Sequence, residues 1–361
     1  MHWQKFCESH HLNDHTISKL TLRDKELVIA FYGIYLSTGN TIKSKSIQTP
    51  TLKLYLKVAG EAAGVETSYD PNHSDDKKYL GRTKVSPVIR AVINEHHRWE
   101  SVPNRREPIT QNMIKWWIYR SPVSAPDSFD AAIADWMILG SRLGMRKSEW
   151  NQPSSNGVAG SAFSTNIDGS SKAFTAPDFT FHYSADTLTK SKPGKFSDQF
   201  SSPPYDLLKV RWRYQKNNDN GQEILFARDI DNPELCVVSA AYRILQRAQR
   251  LHIPLDHPIA VFSANGTTRN ITDADARRSI QACARSVYNM TDKADLAKFS
   301  NHSVRVGACV AVHCGGTDTL TIKNRLRWRS DSFNMYLRNT PLLVAMHTKI
   351  YNTTNVDQFM T

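Results

Sequence analysis

The spacing of apolar residues predicts a helical front part of the chain. Between residues 24 and 39 the apolar positions recur at helical intervals and end at a glycine: Leu27, Val28, Phe31, Tyr32 and Tyr35. Residues 49–64 open with Thr-Pro and residues 86–100 open with Ser-Pro just inside their start. This pairing is typical of helix starts, because proline fits the first helical turn. We therefore expect a first domain, residues 1–104, that is all helical.

The second part of the chain mixes helical patterns with loop-forming ones. A segment rich in proline and charge, SVPNRREP at residues 101–108, is typical of a connector between domains, and we place the boundary between residues 104 and 105. The residues rich in Gly, Ser and Asn at 151–177 predict a long loop. Helical patterns occur at residues 110–120, 128–144, 236–250, 272–288, 302–314 and from about residue 330 onwards.

Three short segments follow the pattern of strands: DFTFHYS, LLKVRWRYQKN and QEILFA. The last two are separated by NNDNG, and a turn rich in Asn, Asp and Gly is typical of a β-hairpin. The predicted fold class is therefore mainly α with a small antiparallel β-sheet, in which residues 105–361 form an α+β second domain.

Composition indicates the class of partner. The 361 residues carry 46 Lys and Arg against 34 Asp and Glu, a formal net charge of +12. Such an excess favours a polyanionic partner, nucleic acid above all. The apolar runs are shorter than the roughly 20 residues that cross a bilayer, and the first residues lack the apolar core of a signal peptide, so we expect no membrane partner. Five scattered cysteines without a CxxC pair predict reduced intracellular thiols.

One stretch concentrates chemistry, HSVRVGACVAVHC at residues 302–314. A metal site is the first hypothesis, but its four possible ligands lie on one continuous helix and point in different directions, whereas a closed zinc site needs four that converge. Cys309 stands in an apolar setting that is typical of a helix core. His302 and Arg305, three residues apart near a helix N-terminus, favour an anion such as phosphate. We therefore predict no metal and an anion-binding pair.

His302 and Arg305 are two of six residues that follow one another along the chain in a characteristic order. The set resembles the catalytic residues of the tyrosine recombinase (phage-integrase-like) family, and its members are Arg146, Lys216, His302, Arg305, Trp328 and Tyr336. The Arg-x-Ser-Glu pattern of that family is also present, from Arg146 to Glu149. The resemblance covers roughly residues 108–340. Within the family, the pattern Arg-Trp-x-Ser at residues 327–330, before the tyrosine, most resembles crypton-type eukaryotic recombinases. Two features depart from the common pattern: Trp328 stands where many members have a histidine, and Tyr336 lies eight positions after it where nine is common.

The resemblance implies a fold, a reaction and a role for each residue. The first domain would be a helical core-binding (SAM-like) clamp and the second the catalytic domain. Tyr336 would attack a DNA phosphate and form a 3′-phosphotyrosyl link, so no metal, ATP or other cofactor is needed. Arg146 and Arg305 would bind the nonbridging oxygens, because guanidinium groups are always charged. Lys216 would protonate the leaving 5′-hydroxyl.

The remaining roles are less sharply defined by the sequence. His302 would accept the tyrosine proton or bind a phosphate oxygen, and Trp328 would bind a phosphate oxygen through its indole N–H. Glu149 would orient His302 or Arg146. Two assignments have competitors: Lys190, Lys192 and Lys195 for the general acid, and Tyr351 for the nucleophile.

The partners follow from the charge and the resemblance. Double-stranded DNA is the expected partner, and the predicted contact residues are Lys43, Lys45, Lys53, Lys57, Arg82, Lys84 and Arg90 in the first domain and Arg211 and Arg213 in the second. The apolar residues 342–346 either pack on their own domain or, as the resemblance implies, dock on a neighbouring copy, so a tetramer on paired sites is expected. The resemblance also implies a mobile-element enzyme, in the nucleus if the protein is eukaryotic and otherwise in the cytoplasm. The alternatives are a type IB topoisomerase, a recombinase-derived DNA-binding protein without activity, and a metal-dependent nucleic-acid protein.

Overall fold

The structure is a computed structural model of the chain and divides it into two compact units, Met1–Asn104 and Arg105–Thr361. It describes residues 1–12, 14–41, 47–65, 67, 86–100, 105–153, 163, 165, 169–183, 205–215, 219–328 and 331–337.

The regular elements among the described residues of the first unit are all helices. Its helices are α1 (His2–Ser9), α2 (Leu22–Ser37), α3 (Thr49–Ala63) and α4 (Pro87–Trp99). The two proline-led starts predicted from the sequence are present, and α3 ends at Gly64 in the left-handed conformation (φ 71°). Helix α1 lies outside the predicted patterns. It forms because Trp3, Phe6 and Cys7 fall on one face and are buried in the core of this unit.

The second unit is built around one nearly fully buried helix, α6 (Phe129–Leu143), and its described residues form six further α-helices and five strands. The helices are α5 (Gln111–Arg120), α7 (Val237–Arg250), α8 (Asp273–Tyr288), α9 (Lys293–Leu296), α10 (His302–Cys314) and α11 (Thr319–Leu326). The strands are β1 (Phe179–His182), β2 (Leu207–Trp212), β3 (Gln222–Ala227), β4 (Val261–Ala264) and β5 (Thr267–Asn270). Helices α5, α7 and α10 pack against α6.

The strands form two small antiparallel sheets. Strand β2 lies between β1 and β3, with Phe179 opposite Val210 and Trp212 opposite Gln222, so the predicted hairpin is present. Strands β4 and β5 form a second hairpin that was not predicted. The described structure is thus mostly helical with small antiparallel sheets, which confirms the predicted fold class.

Local sequence signals fix the ends of the elements that carry the site. Ser128 caps α6 by accepting the N–H of Ala131, and Gly144 ends the helix at φ 57°, a conformation that favours glycine. Helix α10 approaches residue Ile109 so closely that a Cβ on Gly307 would lie 2.5 Å from the Ile109 carbonyl oxygen. The glycine inside HSVRVGACVAVHC is therefore a packing requirement.

The end of the described chain differs from the predicted pattern. A helix was expected from about residue 330 onwards. Its first described residues form a short 3₁₀ helix, Asp331–Met335, directly before Tyr336, and the part of the prediction after residue 337 lies outside the described residues. Helix α11 precedes this 3₁₀ helix and was not predicted, because TLTIKNRL buries only Ile322 and Leu326. In the predicted loop at 151–177, the described residues include another 3₁₀ helix, Ala176–Asp178.

Candidate active site

A tyrosine and a histidine are in direct contact at the start of α10. The Tyr336 hydroxyl and Nε2 of His302 are 2.9 Å apart, and the two rings meet edge to face at 5.3 Å. Tyr336 is half-buried, and His302 is the first residue of α10. A hydroxyl hydrogen-bonded to an imidazole is the arrangement that activates an oxygen nucleophile, since the imidazole can accept its proton.

Arg305, one helical turn further on, is held rigidly beside this pair. Its Nη1 donates to the Gly144 carbonyl oxygen at 2.6 Å and its Nη2 to the Leu326 carbonyl oxygen at 3.0 Å. The guanidinium also lies over the Trp328 ring, 4.2 Å from its centroid. These contacts fix a buried, forked cation that can bind an anion without further ordering.

Arg146 and Glu149 form the next layer of the site, after the end of α6. Glu149 accepts the Arg146 backbone N–H at 3.0 Å and its Nη1 at 3.1 Å. It also accepts two bonds from Arg327, at 3.0 and 3.1 Å, and one from the Trp212 indole at 3.3 Å. Glu149 thus links Arg146 to Arg327 through its hydrogen bonds. No described hydrogen bond links Glu149 to His302.

The turn from Leu326 to Trp328 delivers three groups to the site at once. The Leu326 carbonyl accepts from Arg305, the Arg327 side chain binds Glu149, and the Trp328 ring lies between Arg305 and Tyr336, 5.2 Å from the tyrosine ring. The buried indole N–H of Trp328 has no hydrogen-bond partner among the described residues. Trp328 is one of the residues that line an open pocket of about 570 Å³ between residues 219–222 and α11.

Burial and neighbouring charges shift the pKa values of both members of the tyrosine–histidine pair. Burial raises the pKa of Tyr336, against the opposing effect of Arg305 and Arg146, so the hydroxyl keeps its proton until a base removes it. Desolvation, with the charges of Arg305 and Arg106, lowers the pKa of His302, so the imidazole is neutral near pH 7 and able to accept that proton.

The arginines carry more charge than the site neutralises. Burial first, then Arg146 and Arg327, lowers the pKa of Arg305 to about 9, which still leaves it charged at neutral pH. Burial would raise the pKa of Glu149, but Arg327 and Arg146 hold it below its ordinary value. Three guanidinium groups therefore face one carboxylate. A partly buried excess of positive charge beside a hydroxyl–imidazole pair favours a phosphate.

Arg327 is one of two described residues of the site that the sequence prediction missed. Its side chain is almost fully buried, and its guanidinium lies 3.9 Å from the centroid of the Trp212 ring. Its partner Glu149 lies 178 residues away in the chain, so no local pattern predicts the pair. The one local indication that Arg327 belongs to the site is its position next to Trp328 in LRWRS. Trp212, the other missed member, reads in the sequence as an ordinary buried strand residue.

Several predicted residues lie outside the part of the chain that the structure describes. These are the predicted general acid Lys216, its competitors Lys190, Lys192 and Lys195, the alternative nucleophile Tyr351, residues 342–346, and the DNA-contact candidates Lys43, Lys45, Arg82 and Lys84. Their roles stay predictions.

The other DNA-contact candidates occupy different surroundings. Lys53 and Arg90 are partly exposed on α3 and α4, Lys57 is exposed and pairs with Glu61, and Arg211 is exposed on β2. Arg213 instead donates to the buried Asp178 at 2.6 Å and to the Ala173 carbonyl oxygen at 2.9 Å. Because this side chain is held by two partners within the unit, Arg213 is the least available for DNA among the described candidates.

The cysteines and histidine at the end of α10 do not gather. Cys309 is buried, where desolvation raises the pKa of its thiol to about 11. Among the described residues, no group of three or more His, Cys, Asp or Glu is placed to hold a metal ion. In the same part of the chain, every helix is too short or too polar to cross a bilayer.

Comparison with known proteins adds only a faint likeness. No protein-family model matches the chain, and no curated protein matches it. Among solved structures, one similar chain is the Tn1549 transposon integrase in complex with circular intermediate DNA, 13% identical, with a TM-score of 0.40 over 92% of this chain and 85% of that one. The same integrase with transposon right end DNA is 11% identical, with a TM-score of 0.38 over 91% and 85%. Function therefore has to be argued from the side chains of the site.

Proposed function

We propose that this protein is a tyrosine recombinase, a DNA strand transferase that cuts and rejoins DNA through a 3′-phosphotyrosyl link. The observation that carries the proposal is the 2.9 Å contact between the Tyr336 hydroxyl and His302 beside the buried Arg305. A nucleophile, a neutral base and a preorganised cation are what attack on a phosphodiester by a tyrosine requires. The basic chain, with its net charge of +12, suits a polyanionic substrate.

The proposed reaction proceeds in two balanced steps. The Tyr336 oxygen attacks phosphorus while its proton passes to His302, and the bond from phosphorus to the 5′-oxygen breaks. That oxygen takes a proton from a general acid, for which Lys216 is the candidate. Arg305 and Arg146 stabilise the charge on the nonbridging oxygens, and the Trp328 indole N–H supplies a further donor. A 5′-hydroxyl of another strand then attacks the phosphorus and passes its proton to the deprotonated general acid. The bond from phosphorus to the Tyr336 oxygen breaks and His302 returns the proton to that oxygen, so no external energy source is consumed.

The test is to trap the covalent intermediate. The full chain is incubated with DNA whose bridging 5′-oxygen is replaced by sulfur, because the released thiol does not reverse the cleavage. We expect a denaturant-resistant protein–DNA adduct for the parent protein and none above background for Tyr336→Phe, which keeps the ring and loses only the nucleophile. An adduct that Tyr336→Phe still forms, or a parent protein that binds DNA and forms none, would refute the proposal. Activity that survives EDTA would separate this chemistry from a metal-dependent reaction.

The second step distinguishes a recombinase from a type IB topoisomerase, which uses the same kind of cleavage and then reseals the original strand. Joining of the trapped end to a 5′-hydroxyl strand from a second duplex is expected of a recombinase. Relaxation of supercoiled plasmid without recombinant products would favour the topoisomerase. An adduct-free, sequence-specific binder would be a recombinase-derived DNA-binding protein.

The finer parts of the proposal concern assembly and origin. We propose a tetramer on paired DNA sites, docked through residues 342–346, which truncation after residue 340 tests by its effect on the size of the protein–DNA complex. A relationship to crypton-type recombinases rests on the RW-S pattern before Tyr336. A nuclear location goes with that relationship, and imaging of the tagged protein in a eukaryotic cell tests it.

A further inference from the structure

We infer that Arg327 is a positioning residue of this site: its side chain holds Glu149, and through Glu149 it sets the guanidinium of Arg146. The inference rests on the proposed function, since the effect is measured on DNA cleavage. It assigns a role to a residue that stands outside the set predicted from the sequence.

The first observation is the geometry of the ion pair. Arg327 donates from Nη1 and Nη2 to the two oxygens of Glu149, at 3.0 and 3.1 Å, so the pair is bidentate. Glu149 uses the same two oxygens to accept the backbone N–H and Nη1 of Arg146. A bidentate arginine fixes the plane of a carboxylate as well as its distance. Arg327 therefore sets the orientation in which the Glu149 carboxylate accepts the hydrogen bonds of Arg146.

The second observation is the backbone of Arg327 itself. It ends α11 with φ 58°, in the left-handed region that residues with a Cβ seldom adopt. Glycine would form this turn with less strain, and the arginine is held there by Glu149, the Trp212 ring and the Leu143 carbonyl oxygen. Strain of this kind persists only where surrounding contacts compensate for it, and it is common at functional sites.

The third observation is charge. The charged groups that face Glu149 among the described residues are Arg146, Arg305 and Arg327. Burial acts to raise the pKa of Glu149, and Arg327 makes the largest opposing contribution. Without Arg327 the carboxyl would hold its proton to higher pH and bind Arg146 less well as the pH falls. This gives the variant a signature in its pH profile that lost packing alone would not produce.

The test compares variants of the full chain in adduct formation on the phosphorothiolate DNA. For Arg327→Gln we expect a cleavage rate about 100-fold lower near pH 7.5, with DNA affinity changed less than about threefold, because the group acts on a residue of the transition state. The ratio of its rate to the parent rate falls further toward acid pH. Adding Glu149→Gln to Arg327→Gln removes that extra pH dependence, and Arg327→Lys restores part of the rate.

The matched control is Arg325→Gln. Arg325 lies in the same helix, donates to the Leu225 carbonyl oxygen at 2.8 Å and stacks over the Phe226 ring at 4.0 Å, away from Glu149. We expect it to keep the parent pH profile. If Arg327→Gln cleaves at the parent rate, or loses rate equally at every pH, the positioning role is wrong. A parent protein that forms no adduct contradicts the proposed function instead, so the two failures are distinct.

Discussion

Among the described residues of the second unit, two buried carboxylates each bind two arginines, and only one of these two clusters has the features of an active site. In the first, Asp135 on α6 accepts from Arg243 at 2.7 Å and from Arg247 at 2.6 Å, and Arg247 also binds the Pro126 carbonyl oxygen. In the second, Glu149 joins Arg146 and Arg327. Each cluster borders an open pocket, of about 490 Å³ and 570 Å³.

The difference lies in the neighbours of the two clusters. The Glu149 cluster lies next to a tyrosine hydroxyl hydrogen-bonded to a histidine, and a third guanidinium, Arg305, adds to its positive charge. The described residues that line the pocket beside Asp135 include neither a histidine nor a tyrosine. Buried ion pairs and a pocket are therefore common features of a fold, and a nucleophile with its base is what marks one of the two as reactive.

The largest expected effect on cleavage comes from substituting Arg305, the arginine held beside the Glu149 cluster. Arg305→Gln should lower the rate of adduct formation about 10³-fold, roughly 4 kcal/mol of transition-state free energy, because Arg305 is preorganised toward the phosphate by the Gly144 and Leu326 carbonyls. Single-turnover cleavage of phosphorothiolate DNA measures it. A rate within tenfold of the parent, from a variant shown to be folded, would remove Arg305 from the mechanism.

The next effect comes from the Asp135 side and is one of stability. Arg247→Met should lower the free energy of unfolding by about 3 kcal/mol, because it leaves the buried Asp135 with only the partly exposed Arg243. Urea unfolding measures it. The rate of cleavage at a temperature where the variant is folded should equal the parent rate. A loss of cleavage without a loss of stability would contradict the structural role of this cluster.

A smaller effect should appear in the pH dependence of cleavage. The pKa of His302 is lowered by desolvation and by Arg305 and Arg106, so the neutral base is present above its pKa and is lost as the pH falls through it. The parent rate should therefore fall toward acid pH, starting below the ordinary histidine range. His302→Gln should cleave about 10²-fold more slowly near neutrality and lack this acid limb. An unchanged acid limb in the variant would assign it to another group.

Local signals in the sequence predicted much of the fold. The helix at 272–288 begins with Thr272 and Asp275 bonded reciprocally as a capping box, and Gly144 ends α6 in the left-handed turn, both of which are decided within a few residues. The hairpin β4–β5 and helix α11 were missed. Residues Thr267–Asn270 are mostly exposed and α11 buries only two side chains, so neither segment has a regular spacing of apolar residues. The Asn265-Gly266 pair is typical of a hairpin turn and could have indicated the β4–β5 hairpin.

The sequence by itself determined the chemical groups and their order: an arginine after α6, a His-x-x-Arg pair at a helix start, then a tryptophan and a tyrosine. Only the tertiary structure decided how they meet. In the folded chain the Tyr336 hydroxyl is hydrogen-bonded to His302, and Arg305 donates to carbonyl oxygens of two other segments. Arg327 forms its ion pair with Glu149. Hydrophobic periods and caps report on neighbours within a few residues. A carboxylate and a guanidinium 178 residues apart come together only when α6, α10 and α11 pack, so their pairing is a property of the folded chain.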